Sequence, residues 1–236
     1  MIKAVLFDLD GTLLPMPQEK FIKAYFGSLA KRLAPYGFEP EALFDGIWAG
    51  MKAMVLNNGE VTNESRWWET FDGLFGEKAQ KSRGELEAYY NEDFDGVRHS
   101  CGYNPEARMV TDAIKARGLR LVLATNPVFP FAATYRRAGW AGLDTGDFEI
   151  ITTYENSHYC KPNPEYYKEI LEKTGLKGEE CLMVGNDVDE DMIAEKLGMK
   201  VFLLTYDVLN KHEKDTSVYS QGGFTELLDY ISEICD

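Results

Sequence analysis

The apolar residues between positions 18 and 99 recur at helical spacing and form two clear stripes. The first stripe comprises Phe21, Ile22, Tyr25, Phe26, Leu29 and Leu33. The second comprises Leu43, Phe44, Ile47, Trp48, Met51 and Val55. We predict an amphipathic helix for each stripe and interpret the aromatic residues as helix-to-helix packing, with the lining of a substrate pocket as the alternative.

The same stretch predicts two further helices and no convincing strand. Asn57-Asn58-Gly59 has the composition of a turn and ends the second helix. A third helix follows with Trp67, Trp68, Phe71 and Leu74 on its apolar face, and a fourth covers residues 85–92. Residues 18–99 therefore form an all-helical unit in this prediction.

The rest of the chain alternates short apolar runs with helical patterns. The runs predict strands at residues 3–7, 119–124, 148–152, 181–184 and 200–204. Helices are predicted at residues 105–117, 164–174, 190–197 and 224–234, the first of them capped by Asn104. Strands that alternate with helices are typical of an α/β fold with a parallel sheet covered on both faces.

Charge and termini exclude some classes of function. The formal net charge is −14, which argues against nucleic acid as a partner because binding to a phosphate backbone needs clustered Lys and Arg. A small anionic substrate needs only a local positive site. The apolar run at residues 4–7 is too short for a signal peptide or a membrane span, so we expect a cytoplasmic protein without a membrane partner. The four cysteines lie far apart, and we interpret them as reduced thiols.

Polar side chains follow four of the predicted strands. Because ligands bind at the carboxyl ends of the strands in open α/β sheets, these residues are candidates for one site. They are Asp8 and Asp10, then Thr125 and Asn126, then Lys161, and finally Asn186, Asp187 and Asp191.

These residue types match the parts of a phosphoryl transfer. A carboxylate such as Asp8 can attack phosphorus, and Asp10 can serve as the acid and later the base. Thr125, Asn126 and Lys161 are candidates for binding the phosphate and stabilising its charge. Magnesium prefers oxygen ligands and keeps several waters, so Asp8, Asp10 and the cluster of Asn186, Asp187 and Asp191 are candidates for a metal site.

Each feature alone has an ordinary alternative. Two acids after a strand can form an Asx turn, Lys161 can be a solvated loop residue, and the acidic cluster can cap the next helix. Their occurrence at four strand ends in chain order favours a catalytic site.

The chain resembles the haloacid dehalogenase-like hydrolase superfamily in four motifs. They are residues 7–14 (Phe-Asp-Leu-Asp-Gly-Thr-Leu-Leu), 124–127 (Ala-Thr-Asn-Pro), 160–164 (Cys-Lys-Pro-Asn-Pro) and 184–191 (Val-Gly-Asn-Asp-Val-Asp-Glu-Asp). The resemblance implies a Rossmann-like core of residues 1–17 and 100–236, with a helical cap inserted at residues 18–99. It also implies Mg²⁺ as the cofactor and an aspartyl-phosphate intermediate on Asp8.

Two details of the motifs refine the expected chemistry. The dehalogenases of this superfamily lack the second aspartate of the first motif, so Asp10 favours phosphoryl transfer over carbon–halogen cleavage. In the commonest fourth motif an aspartate follows the glycine, whereas this chain has Asn186 there. Two assignments stay open. In the first, Asp187 is the metal ligand. In the second, Asn186 binds the metal through its amide oxygen, while Asp187 and Asp191 hold waters or Lys161.

The expected function is a magnesium-dependent phosphatase acting on a small phosphorylated metabolite. Two alternatives stay open, a phosphomutase with the same core residues and a catalytically silent protein that binds a phosphorylated ligand. Phosphonate cleavage is disfavoured because nothing marks Lys20, Lys23 or Lys52 as a Schiff-base lysine. The sequence predicts neither the substrate nor the oligomeric state.

Overall fold

The computed structural model describes residues 1–235 and contains one sheet of six parallel strands. The strands are β1 (Ala4–Phe7), β2 (Arg120–Leu123), β3 (Phe148–Ile151), β4 (Cys181–Gly185), β5 (Lys200–Leu204) and β6 (Ser220–Gly222). Their order across the sheet is β3-β2-β1-β4-β5-β6, and each neighbouring pair is parallel. The central strands β1 and β4 are buried along their whole length, as in a sheet with both faces covered. The predicted α/β class is confirmed.

Eight α-helices accompany the sheet within the described residues. They are α1 (Gln18–Leu33), α2 (Pro40–Val55), α3 (Asn63–Phe75), α4 (Glu77–Glu92), α5 (Pro105–Ala116), α6 (Phe131–Trp140), α7 (Pro164–Thr174) and α8 (Phe224–Cys235). The helices α1 to α4 follow one another without an intervening strand, as the stripes predict. Short 3-10 helices complete several of the connections.

The structure differs from the sequence-based expectation at three elements. The helix predicted for residues 190–197 is a 3-10 helix at Met192–Leu197, which ends at Gly198 in the left-handed conformation. The strand β6 has no apolar run and is partly exposed, so no hydrophobic pattern marks it. The helix α6 was not predicted, because its buried face includes the polar residues Thr134 and Arg137, which interrupt the apolar stripe.

The helices α2 and α3 approach each other closely at a glycine. A Cβ atom at Gly50 would lie 2.5 Å from Nε1 of Trp67, which is shorter than any real contact. Gly46 has a similar role, because a Cβ there would lie 2.3 Å from the ring of Phe75. The absence of side chains at these two positions therefore sets how α2 sits on α3.

The helical segment, residues 18–99, is attached to the rest of the chain at several places, one of which is Asp95, bonded to Arg136 and Trp140. Its two connections lie side by side, since the amide of Gly102 donates to the carbonyl of Pro15 at 2.7 Å. Another attachment is Asn63, which is fully buried at the start of α3. Its amide donates to the Ser157 carbonyl at 2.8 Å, and its Nδ2 donates to the Tyr159 carbonyl at 3.2 Å.

A membrane-spanning helix is not found in the part of the chain that the structure describes. Every helix among residues 1–235 is too short or too polar to cross a bilayer.

Candidate active site

The central strands bring the first and fourth motifs together. Asp8 follows β1 directly, and its amide donates to the carbonyl of Val184 in β4 at 2.9 Å. Asn186 follows β4, and the two strands are parallel neighbours, so both residues leave the sheet at the same edge. The second motif joins them there, because β2 lies on the other side of β1.

Lys161 links two carboxylates behind this edge. Its Nζ lies 2.9 Å from Oδ1 of Asp8 and 2.7 Å from Oδ1 of Asp191. The side chains of Lys161 and Asp191 are 0% and 1% exposed, so this ion pair has little access to water. The other Asp191 oxygen accepts the amide of Asp187 at 3.0 Å. Both Asp191 oxygens therefore have protein partners, so Asp191 is better suited to binding Lys161 than to binding a metal ion.

The charge of Lys161 is maintained by its neighbours. Burial alone would lower the pKa of Lys161, but the carboxylates of Asp191 and Asp8 together raise it well above its ordinary value. Burial, with the nearby charge of Asp8, raises the pKa of Asp191 in spite of Lys161. The lysine is therefore a permanent positive charge beside Asp8.

Thr12 connects Asp8 to the fourth motif. Its hydroxyl lies 3.0 Å from Oδ2 of Asp8 and 3.0 Å from Oδ1 of Asn186, and with one proton it donates to one of them at a time. Gly11 allows this approach. It has φ of +86°, and a Cβ atom there would lie 2.4 Å from Nδ2 of Asn186. The Gly-Thr of the first motif thus positions the Asp8 carboxylate.

Asp10 is paired with an arginine that sequence reasoning missed. Oδ2 of Asp10 accepts from Nη1 of Arg137, which is 1% exposed and stacks its guanidinium 4.4 Å from the ring centre of Phe129. Burial raises the pKa of Asp10, and Asp8 adds to this while Arg137 opposes it. A raised pKa suits a carboxyl group that must carry a proton.

Arg137 gives no signal in the sequence, because it lies in α6, outside the four motifs. Its role depends on how α6 packs against the loop after β1.

Glu190 is a second site residue that was not predicted. Its Oε2 accepts from Nδ2 of Asn126 at 2.9 Å, which joins the second motif to the fourth. Burial, together with the charges of Asp187 and Asp8, raises the pKa of Glu190 to about 7. Glu190 lies inside the acidic cluster of the fourth motif, but its neighbours in sequence are acidic too, so the sequence does not distinguish it from them.

In the acidic turn of the fourth motif, a side chain stabilises the backbone through hydrogen bonds. Oδ1 of Asp187 accepts the amides of Asp189 at 2.8 Å and Glu190 at 3.0 Å. The other Asp187 oxygen has no hydrogen-bond partner among residues 1–235. One oxygen thus shapes the turn and the other is free for a ligand.

A cavity of about 430 Å³ unites these residues. Lys161 lies behind it against Asp8, whereas the other predicted site residues line it. They are Asp8, Asp10, Thr125, Asn126, Asn186, Asp187 and Asp191. Its opposite side is formed by α1 and α2 of the helical segment. The site thus lies between the carboxyl edge of the sheet and the helices.

The donor set of this cavity fits a hard divalent cation that keeps its own waters. No three His, Cys, Asp or Glu side chains of residues 1–235 form a group that could hold a metal ion by themselves. The cavity does combine five carboxyl groups, those of Asp8, Asp10, Asp187, Glu190 and Asp191. Oδ1 of Asp10 is buried without a hydrogen-bond partner in the described residues. Magnesium needs only one or two protein carboxylates when waters complete its shell.

Comparison with known proteins gives a consistent result over most of the chain. A family model described as haloacid dehalogenase-like hydrolase matches residues 2–197. The glyceraldehyde 3-phosphate phosphatase of Methanocaldococcus jannaschii is 27% identical over 249 aligned positions, covering 99% of this chain and 99% of that relative. The phosphoglycolate phosphatase of Aliivibrio fischeri is 25% identical over 206 positions, covering 87% of this chain and 85% of that relative.

A solved structure agrees in fold. The 2-haloacid dehalogenase of Pseudomonas syringae pv. Tomato superposes with a TM-score of 0.62 at 18% identity, covering 99% of each chain. At this identity the likeness concerns the fold alone, which can carry different chemistries.

Proposed function

Because the chain belongs to the haloacid dehalogenase-like hydrolase family and resembles phosphatases along most of its length, we propose that it hydrolyses a small phosphate monoester. The family predicted from the four motifs is confirmed. The observation that carries the proposal is the buried Lys161 ammonium, 2.9 Å from Asp8, at the sheet edge where Asp10 also lies.

Asp8 is the nucleophile in this proposal. Its carboxylate attacks phosphorus, a P–O bond forms to Asp8, and the bond to the leaving alcohol breaks. Asp10 donates its proton to the departing oxygen, and Arg137 holds the Asp10 side chain for this transfer. The products of the first step are the free alcohol and an aspartyl-phosphate.

The second step returns the enzyme to its starting state. Asp10, now ionised, takes a proton from water while the water oxygen attacks phosphorus. The bond between phosphorus and Asp8 breaks, and inorganic phosphate leaves. Lys161, Thr125 and Asn126 stabilise the negative charge that the phosphoryl group carries in both steps.

Asp8 and Asp187 are our choice of side chains for Mg²⁺, with Asn186 beside them and Asp10 near enough to contribute. When bound, the ion supplies positive charge against the phosphoryl oxygens. Removal of divalent cations by a chelator is expected to abolish phosphate release, and addition of Mg²⁺ to restore it.

Residues 18–99 act as the cap of this proposed enzyme, with residues 1–17 and 100–236 as the catalytic core. The cap covers the cavity through α1 and α2. The substrate is a small phosphorylated metabolite, as the names of the two phosphatase relatives suggest. The cytoplasmic location stays a prediction.

Release of inorganic phosphate from p-nitrophenyl phosphate with Mg²⁺ tests the proposal. Asp8→Asn should lower kcat by roughly 10³-fold or more, because it removes the nucleophile. Asp112→Asn is the matched control, since Asp112 is exposed on α5 and contacts only Arg108. Absence of phosphate release by the wild-type protein, or full activity of Asp8→Asn, contradicts the proposal.

A further inference from the structure

The cavity has two walls of opposite character. The sheet wall contains the carboxyl, amide and hydroxyl groups described above, together with Lys211 and some apolar side chains such as Phe129. The helical wall consists mainly of apolar side chains from α1 and α2. They are Phe21, Ile22 and Phe26 of α1 and Trp48, Met51 and Val55 of α2.

The apolar side chains of α2 that line the cavity lie on one face of the helix, where Trp48 and Val55 stay partly exposed and Met51 is half-buried. Trp48, Met51 and Val55 are spaced at i, i+3 and i+7. Trp48 is 38% exposed and Val55 is 40% exposed, whereas Ile47 on the neighbouring face is 3% exposed. An exposed apolar patch that lines a cavity is typical of a ligand-binding surface.

The indole of Trp48 has a defined orientation. Its ring centre lies 6.3 Å from that of Phe26, with 24° between the planes, and 6.0 Å from that of Phe44. Phe26 and Phe44 are themselves in contact, with ring centres 4.5 Å apart. Contacts of this kind hold a flat surface in place before a ligand arrives.

Few polar groups of the helical wall can bind hydroxyl or carboxylate groups. Gln18 and Lys52 are its polar side chains, apart from Tyr25. The hydroxyl of Tyr25 is 2.6 Å from the hydroxyl of Tyr90, so Tyr25 presents its ring to the cavity. A substrate rich in hydroxyl groups would lose water here without gaining equivalent hydrogen bonds.

We propose that the preferred substrate is the phosphate monoester of an apolar, ring-bearing alcohol. The phosphate binds at the sheet wall, and the ring of the alcohol lies against Trp48 and Phe26. This inference rests on the proposed phosphatase function and names its substrate class. It sets this chain apart from relatives whose names refer to phosphoglycolate and glyceraldehyde 3-phosphate.

The test compares esters whose leaving alcohols have similar acidity, so that intrinsic reactivity does not decide the result. Benzyl phosphate and 2-phenylethyl phosphate carry a ring, whereas ethyl phosphate and 2-hydroxyethyl phosphate do not. We expect kcat/KM to be at least about tenfold higher for the ring-bearing esters. Phosphoglycolate is included as the anionic comparison.

Variants locate the preference at Trp48. Trp48→Ala should lower kcat/KM for benzyl phosphate about tenfold more than for ethyl phosphate, mainly through KM, and Trp48→Phe should keep most of the preference. Phe131→Ala is the matched control, because Phe131 is 51% exposed at the start of α6 and does not line the cavity. It should leave the ratio between the two esters unchanged.

Two kinds of failure are distinguishable. If no ester releases phosphate, the proposed function itself is wrong. If 2-hydroxyethyl phosphate is hydrolysed as fast as the ring-bearing esters, the inference about the substrate is overturned and the phosphatase stands. Faster hydrolysis of phosphoglycolate that is lost in Lys52→Ala, or an equal loss for all esters in Trp48→Ala, also overturns it.

Discussion

The sheet wall and the helical wall of the cavity face the same substrate but are held in different ways. On the sheet wall, Asp8, Lys161 and Asp191 are nearly fully buried and are bonded to one another. On the helical wall, Trp48 is 38% exposed, and its ring lies beside those of Phe26 and Phe44. The first arrangement fixes charged groups at defined distances from one another, whereas the second presents an apolar surface to a ligand. In our two proposals, the chemistry therefore resides on the sheet wall and the substrate preference on the helical wall, in separate parts of the chain.

The largest effect is expected when the sheet wall loses its buried cation. Lys161→Met leaves the carboxylates of Asp8 and Asp191 buried without a counter-charge. The free energy of unfolding should fall by about 3–5 kcal/mol, and kcat for every ester by about 10²–10³-fold. Urea denaturation and phosphate release measure the two effects. Lys168→Met is the control, since Lys168 is an exposed lysine of α7 paired with Glu165.

A double variant sharpens this result. Lys161→Met combined with Asp191→Asn removes one of the stranded charges, so much of the lost stability should return while kcat stays low. Recovery of activity in the double variant would show that Lys161 acts on stability alone.

A smaller effect is expected for Arg137, which lies in α6 and pairs with Asp10 of the sheet wall. Arg137→Leu should lower the free energy of unfolding by about 2–3 kcal/mol, less than for a fully buried pair, because the side chain of Asp10 is 21% exposed. Without its partner, Asp10 is poorly placed for proton transfer, so kcat should fall about tenfold with little change in KM. Arg136→Leu is the matched control, because Arg136 points to Asp95 instead. Equal kinetics for the two variants would remove Arg137 from the proposed mechanism.

Asn63 tests whether the helical wall depends on its attachment to the sheet. Asn63→Ala removes hydrogen bonds to the carbonyls of Pro127 and Tyr159, and the free energy of unfolding should fall by about 1–2 kcal/mol. KM should rise more than kcat falls, since α3 supports α2. Asn91→Ala, at an exposed position of α4, should change neither quantity by a measurable amount.

The smallest effects come from two glycines of the helical segment. Gly50→Ala should lower the free energy of unfolding by about 1 kcal/mol, because the new methyl group meets Trp67. Gly84→Ala should raise it by about 0.5–1 kcal/mol, since Gly84 lies within α4 and nothing stands within 4 Å of the added methyl group. Thermal unfolding of the two variants checks the opposite signs. A Gly50→Ala variant at least as stable as the wild type would contradict the close packing of α2 on α3.

The sequence predicted the sheet wall well because its signals are local. A buried strand that ends in Asp8 and Asp10 is visible within ten residues, and the parallel sheet then brings the other strand ends to the same edge. Lys161 could be named for the same reason. Arg137 and Glu190 could not, since their roles depend on packing between segments that are far apart in sequence.

The helical wall shows where periodicity stops being informative. Ile47 and Trp48 belong to the same apolar stripe, and the stripe was interpreted as packing. In the structure Ile47 is buried among the helices, as expected, whereas Trp48 lines the cavity. The choice between them depends on the rotation of α2, which places Gly50 against Trp67 and Gly46 against Phe75. The pattern of apolar residues does not predict that rotation.

The attachment at Asn63 has a consequence for the rate of turnover. A segment joined by two adjacent connections can swing about them as a hinge, on a timescale of microseconds to milliseconds. Here the start of α3 is also bonded to the loop at Ser157 and Tyr159, so such a swing must first break these buried hydrogen bonds. We therefore expect substrate and product to pass by rearrangement of exposed side chains that line the cavity, such as Lys52, which takes picoseconds to nanoseconds. We accordingly expect bond breaking, and not the opening of the protein, to be rate-limiting.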